Sequence, residues 1–298
     1  LCCPSRATAL TGQYTHNHNV WDNGGKVGGY GKFANQENTL APWLKAAGYT
    51  TAHVGKYMNG YNNSVANRVP PGWDQWFNIV DVPGEAYPYY GYTVSDNGVP
   101  RNYGTADEDY ATDVFADRAL ANLKAMEASG QPFFLDFWPT APHTGTGPGS
   151  ISFSPAPAPR HLGAFDDEAL PDLPARGEDD LADKPAYVRS IEPAFELGVI
   201  EYNLANDTDL SLEDLETLAY RRYLESLLAV DEAVGRLVAA LDEEGVLENT
   251  LLVFVSDNGW SFGEHRIPFA KVLPYENVVR VPFLVRGPGF AAGTVEPD

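Results

Sequence analysis

The chain has 298 residues, which is enough for one large α/β domain or two small ones. Its residues are 44% hydrophobic and 12% aromatic, so they can form a packed core. No apolar run approaches the roughly 18 residues of a membrane-spanning helix. Acidic residues outnumber basic ones by 41 to 20, for a formal net charge of −21. This balance argues against a nucleic-acid partner, which needs a basic face, and a site for an anion must gather the few cations of the chain.

The first half of the chain predicts two helices, one strand and a long irregular segment. A helix is predicted over Pro4–Leu10, because Pro favours the first helical position and Gly12 suits the end. A second helix is predicted over Thr39–Ala47, followed by a buried strand over Tyr49–Val54. Residues 58–107 are rich in Gly, Pro, Asn and Tyr and lack periodicity, so they predict a long ordered loop region.

The second half predicts further alternation of helices and strands. A helix over Glu108–Ser129 and a strand over Gln131–Trp138 precede a loop-like stretch, 139–193. The strongest helix runs from Ser211 to about Glu244, with a capping-box-like start at Ser211 and Asp214 and a long apolar stripe.

Two short, wholly apolar runs, Leu251–Val255 and Val281–Val285, are typical of strands covered on both faces. Strands that alternate with helices predict a mostly parallel sheet with helices on both sides, and one domain over residues 1–298 is the simplest organisation. Ligands of such sheets bind beyond the carboxyl ends of the strands. The segments that follow strands are Gly55–Tyr57, Pro142–His143 and Ser256–Gly259.

The opening segment places a thiol just before the first predicted helix, with an arginine one turn in. The start of a helix offers free N–H groups and partial positive charge to an anion, and the Arg6 guanidinium is suited to paired oxygens. The two cysteines, Cys2 and Cys3, are adjacent, which excludes a disulfide scaffold. From these residues alone, both a reactive and a buried structural cysteine stay open.

The same segment resembles the sulfatase signature C-x-P-S-R-x-x-x-L-T-G, with all seven fixed positions present between Cys2 and Gly12. The resemblance implies that Cys2 is converted to formylglycine, whose hydrated aldehyde attacks sulfur, while Cys3 fills a variable position. A hydrated aldehyde can expel sulfate by collapsing back to the aldehyde, whereas a plain serine cannot. A formylglycine-generating or anaerobic maturation enzyme is then an implied partner.

The Ser256-Asp257-Asn258-Gly259 segment resembles the second metal-binding segment of that family. An Asp-Asn-Gly sequence is by itself typical of a turn, but carboxylate and amide oxygens also suit a hard cation. The resemblance implies that Asp257 and Asn258 bind Ca²⁺ (or Mg²⁺). The other metal carboxylates of the family lie on a first strand. We expect that strand to lie upstream of Leu1, which leaves the metal site incomplete here.

Three further segments carry the resemblance to the substrate site. Lys271 and Lys56 match the two family lysines that contact the sulfate group, and His143 matches the histidine of an A-P-H segment that contacts sulfate or protonates the leaving alcohol. The family often has a histidine shortly after the first lysine. Here Met58 and Asn59 follow instead, as in the branch that acts on N-acetylglucosamine 6-sulfate, and Asn59 becomes a candidate substrate-binding residue. His16 and His18, which follow the signature, are expected only to help position its helix.

Three other functions share some of these sequence features. Gly259–Gly263 fits the G-x-S-x-G elbow of serine esterases, but Gly263 and Pro268 interrupt the helix that must follow its serine. Phosphatases and phosphodiesterases of the same superfamily use Thr or Ser, and the C-x-P-S-R context favours sulfate over phosphate. A non-catalytic protein that binds sulfated glycans and keeps Cys2 unmodified stays open, because the modification depends on a second enzyme.

The resemblance covers Cys2 to about Gly289 and implies an α/β fold of the alkaline-phosphatase and sulfatase type. We expect a three-layer sandwich with a mostly parallel central sheet, truncated at both ends, without its first strand and its smaller C-terminal portion. The implied activity is hydrolysis of sulfate monoesters. A 6-sulfated amino sugar such as N-acetylglucosamine 6-sulfate is the first candidate substrate and an aryl sulfate the second. Sulfated polymers lie outside the cytoplasm, so a secreted, periplasmic or lysosomal location is expected.

Overall fold

The computed structural model describes residues 1–82, 84, 86–151, 153–173, 175–178 and 180–295. Residues 83, 85, 152, 174, 179 and 296–298 fall in predicted loops or at the end of the predicted domain, and they lie outside the described residues. Across the described ranges, no helix combines the length and apolar character that crossing a membrane requires.

Helices and strands alternate along most of the chain. The helices are α1 (Cys2–Thr11), α2 (Thr15–His18), α3 (Leu40–Ala46), α4 (Ala111–Ala128), α5 (Ala186–Arg189), α6 (Ile191–Asn206), α7 (Leu212–Glu243) and α8 (Glu276–Val279). The strands are β1 (Thr50–Gly55), β2 (Gln75–Ile79), β3 (Tyr87–Pro88), β4 (Thr93–Asp96), β5 (Val99–Asn102), β6 (Phe133–Trp138), β7 (Gly145–Thr146), β8 (Leu252–Val255) and β9 (Phe283–Arg286). The predicted helices α1, α3, α4 and α7 and the predicted strands β1, β6, β8 and β9 are confirmed to within a few residues.

A five-stranded sheet in the order β5-β4-β2-β1-β6 forms the centre. Strand β1 pairs in parallel with both β2 and β6, whereas β4 and β5 extend the sheet in antiparallel. Because β1, β2 and β6 run in the same direction, their carboxyl ends meet at one edge, where a ligand of a parallel sheet is expected to bind. The sheet is therefore mixed, with a parallel centre.

Helices cover both faces of this sheet. Alternation along β2 sends Trp76 to one face, where it packs with α1 and α3, and Phe77 to the other, where it packs with α4 and α7. Ala7 and Leu10 of α1 and Phe115 of α4 are fully buried in these two clusters. The three layers are thus two helix layers with the sheet between them.

The prediction of a loop over 58–107 was wrong, because this segment contains β2 to β5. Polar residues such as Asn78, Ser95 and Asp96 interrupt the apolar pattern of these strands, yet all three are buried. Ser95, for example, donates a hydrogen bond to the Ala66 carbonyl at 2.5 Å. The loop predicted over 139–193 also ends early, since α5 begins at Ala186 and α6 at Ile191.

The prediction that the last two strands are covered on both faces was also wrong. In the described residues β8 pairs in antiparallel with β9 in a separate two-stranded sheet. Phe254 is 44% exposed and Phe283 is 66% exposed. An apolar run predicts a strand, but it does not specify how many neighbours the strand has.

Candidate active site

The site begins at the amino-terminal end of α1. The sequence predicted the thiol just before the helix. The helix starts at Cys2, so the thiol lies in its first turn instead. Gly12 ends the helix in the left-handed conformation, at φ 64°, which glycine adopts without strain. Because the first turn of a helix has N–H groups without intrahelical partners, Cys2 sits in the partial positive charge of α1.

Cationic side chains surround the Cys2 thiol. The Lys271 ammonium donates to Cys2 Sγ at 3.2 Å. Burial would raise the pKa of this thiol, since the side chain is 1% exposed, but the charges of Lys56, Lys271 and Arg6 outweigh burial and hold the pKa below its usual value. Residues from α1, from the end of β1 and from the segment after β8 therefore converge on one thiol.

Arg6 and Asp257 form a half-buried ion pair beside this thiol. Arg6 Nε donates to Asp257 Oδ2 at 2.8 Å, and Arg6 Nη1 donates to the backbone carbonyl of Lys56. The guanidinium also lies 4.7 Å above the Trp138 ring. Burial would raise the pKa of Asp257, but Arg6 and Lys56 hold it well below its usual range. The carboxylate is thus ionised at any physiological pH.

Lys56 follows β1, and its side chain is buried at 2% exposure. Its ammonium has no hydrogen-bond partner among the described residues and lies 4.2 Å from the centre of the Tyr87 ring. Burial lowers the pKa of Lys56. A buried ammonium without hydrogen bonds is costly in the absence of a counter-ion, so this arrangement suits an anion.

His143 follows β6, after a cis Ala141–Pro142 peptide bond. Its Nδ1 donates to the Thr144 carbonyl at 2.7 Å, which leaves Nε2 as the nitrogen that can take up a second proton. Burial, together with the charges of Lys56 and Lys271, holds the pKa of His143 well below its usual value. The imidazole is therefore neutral near pH 7 unless an anion offsets the two lysines.

Asn59 lies against Cys3, the neighbour of the candidate nucleophile. Its backbone N–H donates to Cys3 Sγ at 3.3 Å, and its Oδ1 accepts from the same sulfur at 3.5 Å. Asn23 Oδ1 accepts from the Cys3 N–H at 2.9 Å. Burial raises the pKa of the Cys3 thiol to about 11, so it stays protonated. These contacts make Asn59 a support for the start of α1, and its predicted contact with substrate stays a prediction.

His18 is fixed by hydrogen bonds on both ring nitrogens. Its Nδ1 accepts from the Val20 N–H at 3.1 Å, so its Nε2 donates to Thr8 Oγ1, also at 3.1 Å. This ties α2 to the middle of α1, in line with the predicted positioning role. His16 stacks on Tyr14, with ring centres 5.8 Å apart.

Asp257 and Asn258 offer oxygen ligands next to Cys2. Asn258 Nδ2 donates to the Gly259 carbonyl, which turns Oδ1 toward Cys2 Sγ at 3.5 Å. These oxygens fit Ca²⁺ or Mg²⁺ in kind. They fit only part of its shell of about six to eight ligands, and the described residues contain no cluster of three or more His, Cys, Asp or Glu that could hold a metal.

Ser261 does not form a nucleophile elbow. The side chain is 1% exposed, its Oγ accepts from Asn277 Nδ2 at 2.7 Å, and its N–H donates to the Ala270 carbonyl at 2.9 Å. The next helix after it in the described chain is α8, which begins at Glu276. The serine therefore lacks both the exposure and the following helix that an esterase needs.

Three aromatic residues at the site were not predicted from the sequence. The Tyr87 ring makes a cation–π contact with the Lys56 ammonium, and its centre lies 5.6 Å from that of the His143 ring. The Trp138 ring stacks under the Arg6 guanidinium, and the centre of the Trp260 ring lies 5.6 Å from the Lys271 ammonium. Trp138 is the last residue of β6 and Trp260 follows the segment after β8, which is a signal for them, whereas Tyr87 lies in a segment predicted as loop. On the open side, a cavity of about 430 Å³ is lined by residues that include Ser5, Asp257, Asn258 and Lys271.

Comparison with known proteins identifies the family and relatives of this chain. The family model described as sulfatase matches residues 1–296. The chain is 37% identical to an arylsulfatase of Volvox carteri, over 98% of this chain and 44% of the relative. It is 34% identical to the N-acetylglucosamine-6-sulfatase of Homo sapiens, over 97% of this chain and 49% of the relative.

A solved structure extends the likeness to the fold. A protein in complex with its substrate D-glucosamine-2-N,6-O-disulfate matches with a TM-score of 0.70 and 26% identity, over 97% of this chain and 62% of that one. This match confirms the predicted α/β fold class. The chain spans about half the length of the curated relatives. From the signature at Cys2, the family match and these relatives together, we conclude that the chain belongs to the sulfatase family.

Proposed function

We propose that the protein hydrolyses sulfate monoesters, with Cys2 as the nucleophilic position after its oxidation to formylglycine. One observation carries the proposal: the Lys56 ammonium is buried without a hydrogen-bond partner in the described chain, and its charge acts on the same thiol as those of Lys271 and Arg6. The chain has a net charge of −21 and few cationic side chains, and three of them lie together at this site. Such a site favours an anion whose charge grows in the transition state.

Formylglycine at position 2 would supply a hydrated aldehyde as nucleophile and as a route for releasing sulfate. A Ca²⁺ or Mg²⁺ ion would be held in part by Asp257 and Asn258 and would supply positive charge beside the nucleophile. Arg6 keeps Asp257 ionised and oriented through their 2.8 Å hydrogen bond.

The remaining residues act on the sulfate group and on the leaving alcohol. Lys56 and Lys271 neutralise the sulfate oxygens. Because the anion offsets these two lysines, its binding raises the pKa of His143, which then carries a proton on Nε2. From that atom the proton passes to the oxygen of the leaving alcohol, which departs poorly as an alkoxide.

The substrate that we propose first is a 6-sulfated amino sugar such as N-acetylglucosamine 6-sulfate. The name of the human relative and the substrate of the solved neighbour support it, as does the Met58-Asn59 departure after Lys56. An aryl sulfate is the second candidate, supported by the name of the Volvox relative. A maturation enzyme that oxidises Cys2 is the proposed partner. A secreted, periplasmic or lysosomal location follows from where sulfated polymers occur.

The test compares Cys2→Ala with Cys3→Ala in the full-length protein, using N-acetylglucosamine 6-sulfate, p-nitrophenyl sulfate and p-nitrophenyl phosphate. We expect wild type and Cys3→Ala to release sulfate, and Cys2→Ala to release none while keeping its melting temperature. Sulfate release by Cys2→Ala at the wild-type rate would overturn the proposal. Binding of the sulfated sugar without any turnover by wild type would instead identify a glycan-binding protein.

A further inference from the structure

Three polar residues that the proposed mechanism does not use lie buried behind Lys56. His53 on β1, Asn78 on β2 and Asp136 on β6 are 0%, 1% and 5% exposed. His53 Nδ1 lies 3.0 Å from Asp136 Oδ2, and His53 Nε2 lies 3.1 Å from Asn78 Oδ1. The histidine therefore links three adjacent strands of the central sheet.

Backbone groups fix the direction of these hydrogen bonds. The Tyr57 N–H donates to Asn78 Oδ1 at 2.7 Å, and Asn78 Nδ2 donates to the Ile79 carbonyl at 2.6 Å. The amide oxygen is therefore an acceptor, and His53 Nε2 must carry a proton to bond it. His53 Nδ1 shares a second proton with Asp136. Burial raises the pKa of that carboxyl.

The same amide holds the turn that carries Lys56. The Lys56 N–H donates to the Trp138 carbonyl at 2.8 Å, its carbonyl accepts from Arg6, and the next N–H, of Tyr57, is held by Asn78. Gly55, at φ 129°, lets the chain pass close to Trp138. The backbone of Lys56 is thus fixed on both sides, whereas its ammonium makes no hydrogen bond in the described chain.

The surroundings of His53 are aromatic, so they would accommodate an apolar side chain at lower cost than an imidazole. Its ring stacks on Trp76 with centres 4.5 Å apart and is edge-on or tilted to Tyr57, Trp73 and Trp138. Burying an imidazole and a carboxyl in this aromatic setting is unfavourable unless both are hydrogen-bonded. We therefore expect His53 and Asp136 to fix the positions of their neighbours more than they stabilise the fold.

We propose that His53 is a positioning residue which, through Asp136 on one side and Asn78 on the other, fixes the Gly55–Tyr57 turn and so the place of the Lys56 ammonium. This inference rests on the proposed contact between Lys56 and sulfate. It concerns no group that touches the substrate: Asp136 holds the His53 ring from one side, and His53 acts on the turn through Asn78 and the Tyr57 N–H.

The test is a double-mutant cycle in the full-length protein with p-nitrophenyl sulfate. Lys56→Ala is expected to lower kcat/KM about 100-fold, as for one transition-state charge contact. His53→Phe, which fills the aromatic pocket, is expected to lower it about tenfold through misplacement of Lys56. The double variant is expected to match Lys56→Ala alone. Full additivity, or wild-type kcat/KM for His53→Phe, would overturn the positioning role.

Two further variants separate positioning from stability. His53→Phe combined with Asp136→Leu leaves no unpaired buried carboxyl, so it is expected to fold and to show the same tenfold loss, on the order expected for misplacement. Thr51→Val removes the 2.5 Å hydrogen bond to the Gly72 carbonyl at the other end of β1. It is expected to lower the melting temperature and leave kcat/KM unchanged. If Lys56→Ala keeps wild-type kcat/KM, the proposed role of Lys56 fails and the positioning role fails with it.

Discussion

Removal of the Lys271 ammonium is expected to slow sulfate ester hydrolysis strongly. Lys271→Met keeps most of the side-chain volume and removes the charge that lies 3.2 Å from Cys2 Sγ. Two unit charges at such a distance interact by about 5 kcal/mol at an effective dielectric constant of about 20. Lys271 is half-buried, so solvent screens part of this interaction. We expect a loss of about 3 kcal/mol in transition-state binding, or roughly 150-fold in kcat/KM.

The assay measures kcat/KM for p-nitrophenyl sulfate and N-acetylglucosamine 6-sulfate in preparations with the same converted fraction of Cys2. Lys45→Met is the matched control, because Lys45 is an exposed lysine that pairs with Asp74 at 2.6 Å and lies outside the site. The control is expected to behave as wild type. A kcat/KM for Lys271→Met within about twofold of wild type would refute the assignment of Lys271 to the sulfate group.

Three other predictions concern His143 and the metal ligands. His143→Gln is expected to lower kcat for N-acetylglucosamine 6-sulfate about 100-fold or more and to affect p-nitrophenyl sulfate much less, since p-nitrophenolate leaves without a proton; equal losses would contradict the general-acid role. Because the pKa of His143 is held below its usual value in the folded protein, the unfolded chain binds more protons as the pH falls through that usual value, and stability declines with it. His143→Gln should therefore flatten the fall in melting temperature between about pH 7 and about pH 5, and an unchanged slope would count against a buried neutral imidazole. Chelation with EDTA is expected to abolish turnover, and Ca²⁺ or Mg²⁺ to restore it; full activity after exhaustive chelation would remove the cation from the proposal.

Much of the site could be predicted because local sequence determines it. Pro4 lies in the first turn of α1 and Gly12 ends the helix, and Cys2 and Arg6 lie one turn apart on it, so the start of the site follows from a single helix. Lys56 and His143 follow parallel strands whose ends must meet at one edge of the sheet. The structure brings Lys56, Lys271 and Arg6 within electrostatic reach of Cys2.

Other features depend on contacts between distant residues, which no local pattern contains. Asn59 contacts Cys3 because the turn after β1 packs against α1, not because of its own neighbours. Strand β2 was missed because Asn78 reads as a loop residue until its partners, His53 and the Tyr57 N–H, are known. The exposure of β8 could not be predicted either, since an apolar strand of four residues reads the same whether it has one neighbour or two.

The identity of the nucleophile is tested most directly by relating activity to the chemical state of the second residue. Preparations with different degrees of maturation are analysed by mass spectrometry, in which conversion of the Cys2 side chain to an aldehyde lowers the peptide mass by about 18 Da. Sulfate release per mole of protein is expected to rise in proportion to the converted fraction and to extrapolate to zero when Cys2 is entirely a thiol. Equal sulfate release by fully unconverted and fully converted protein would contradict the account.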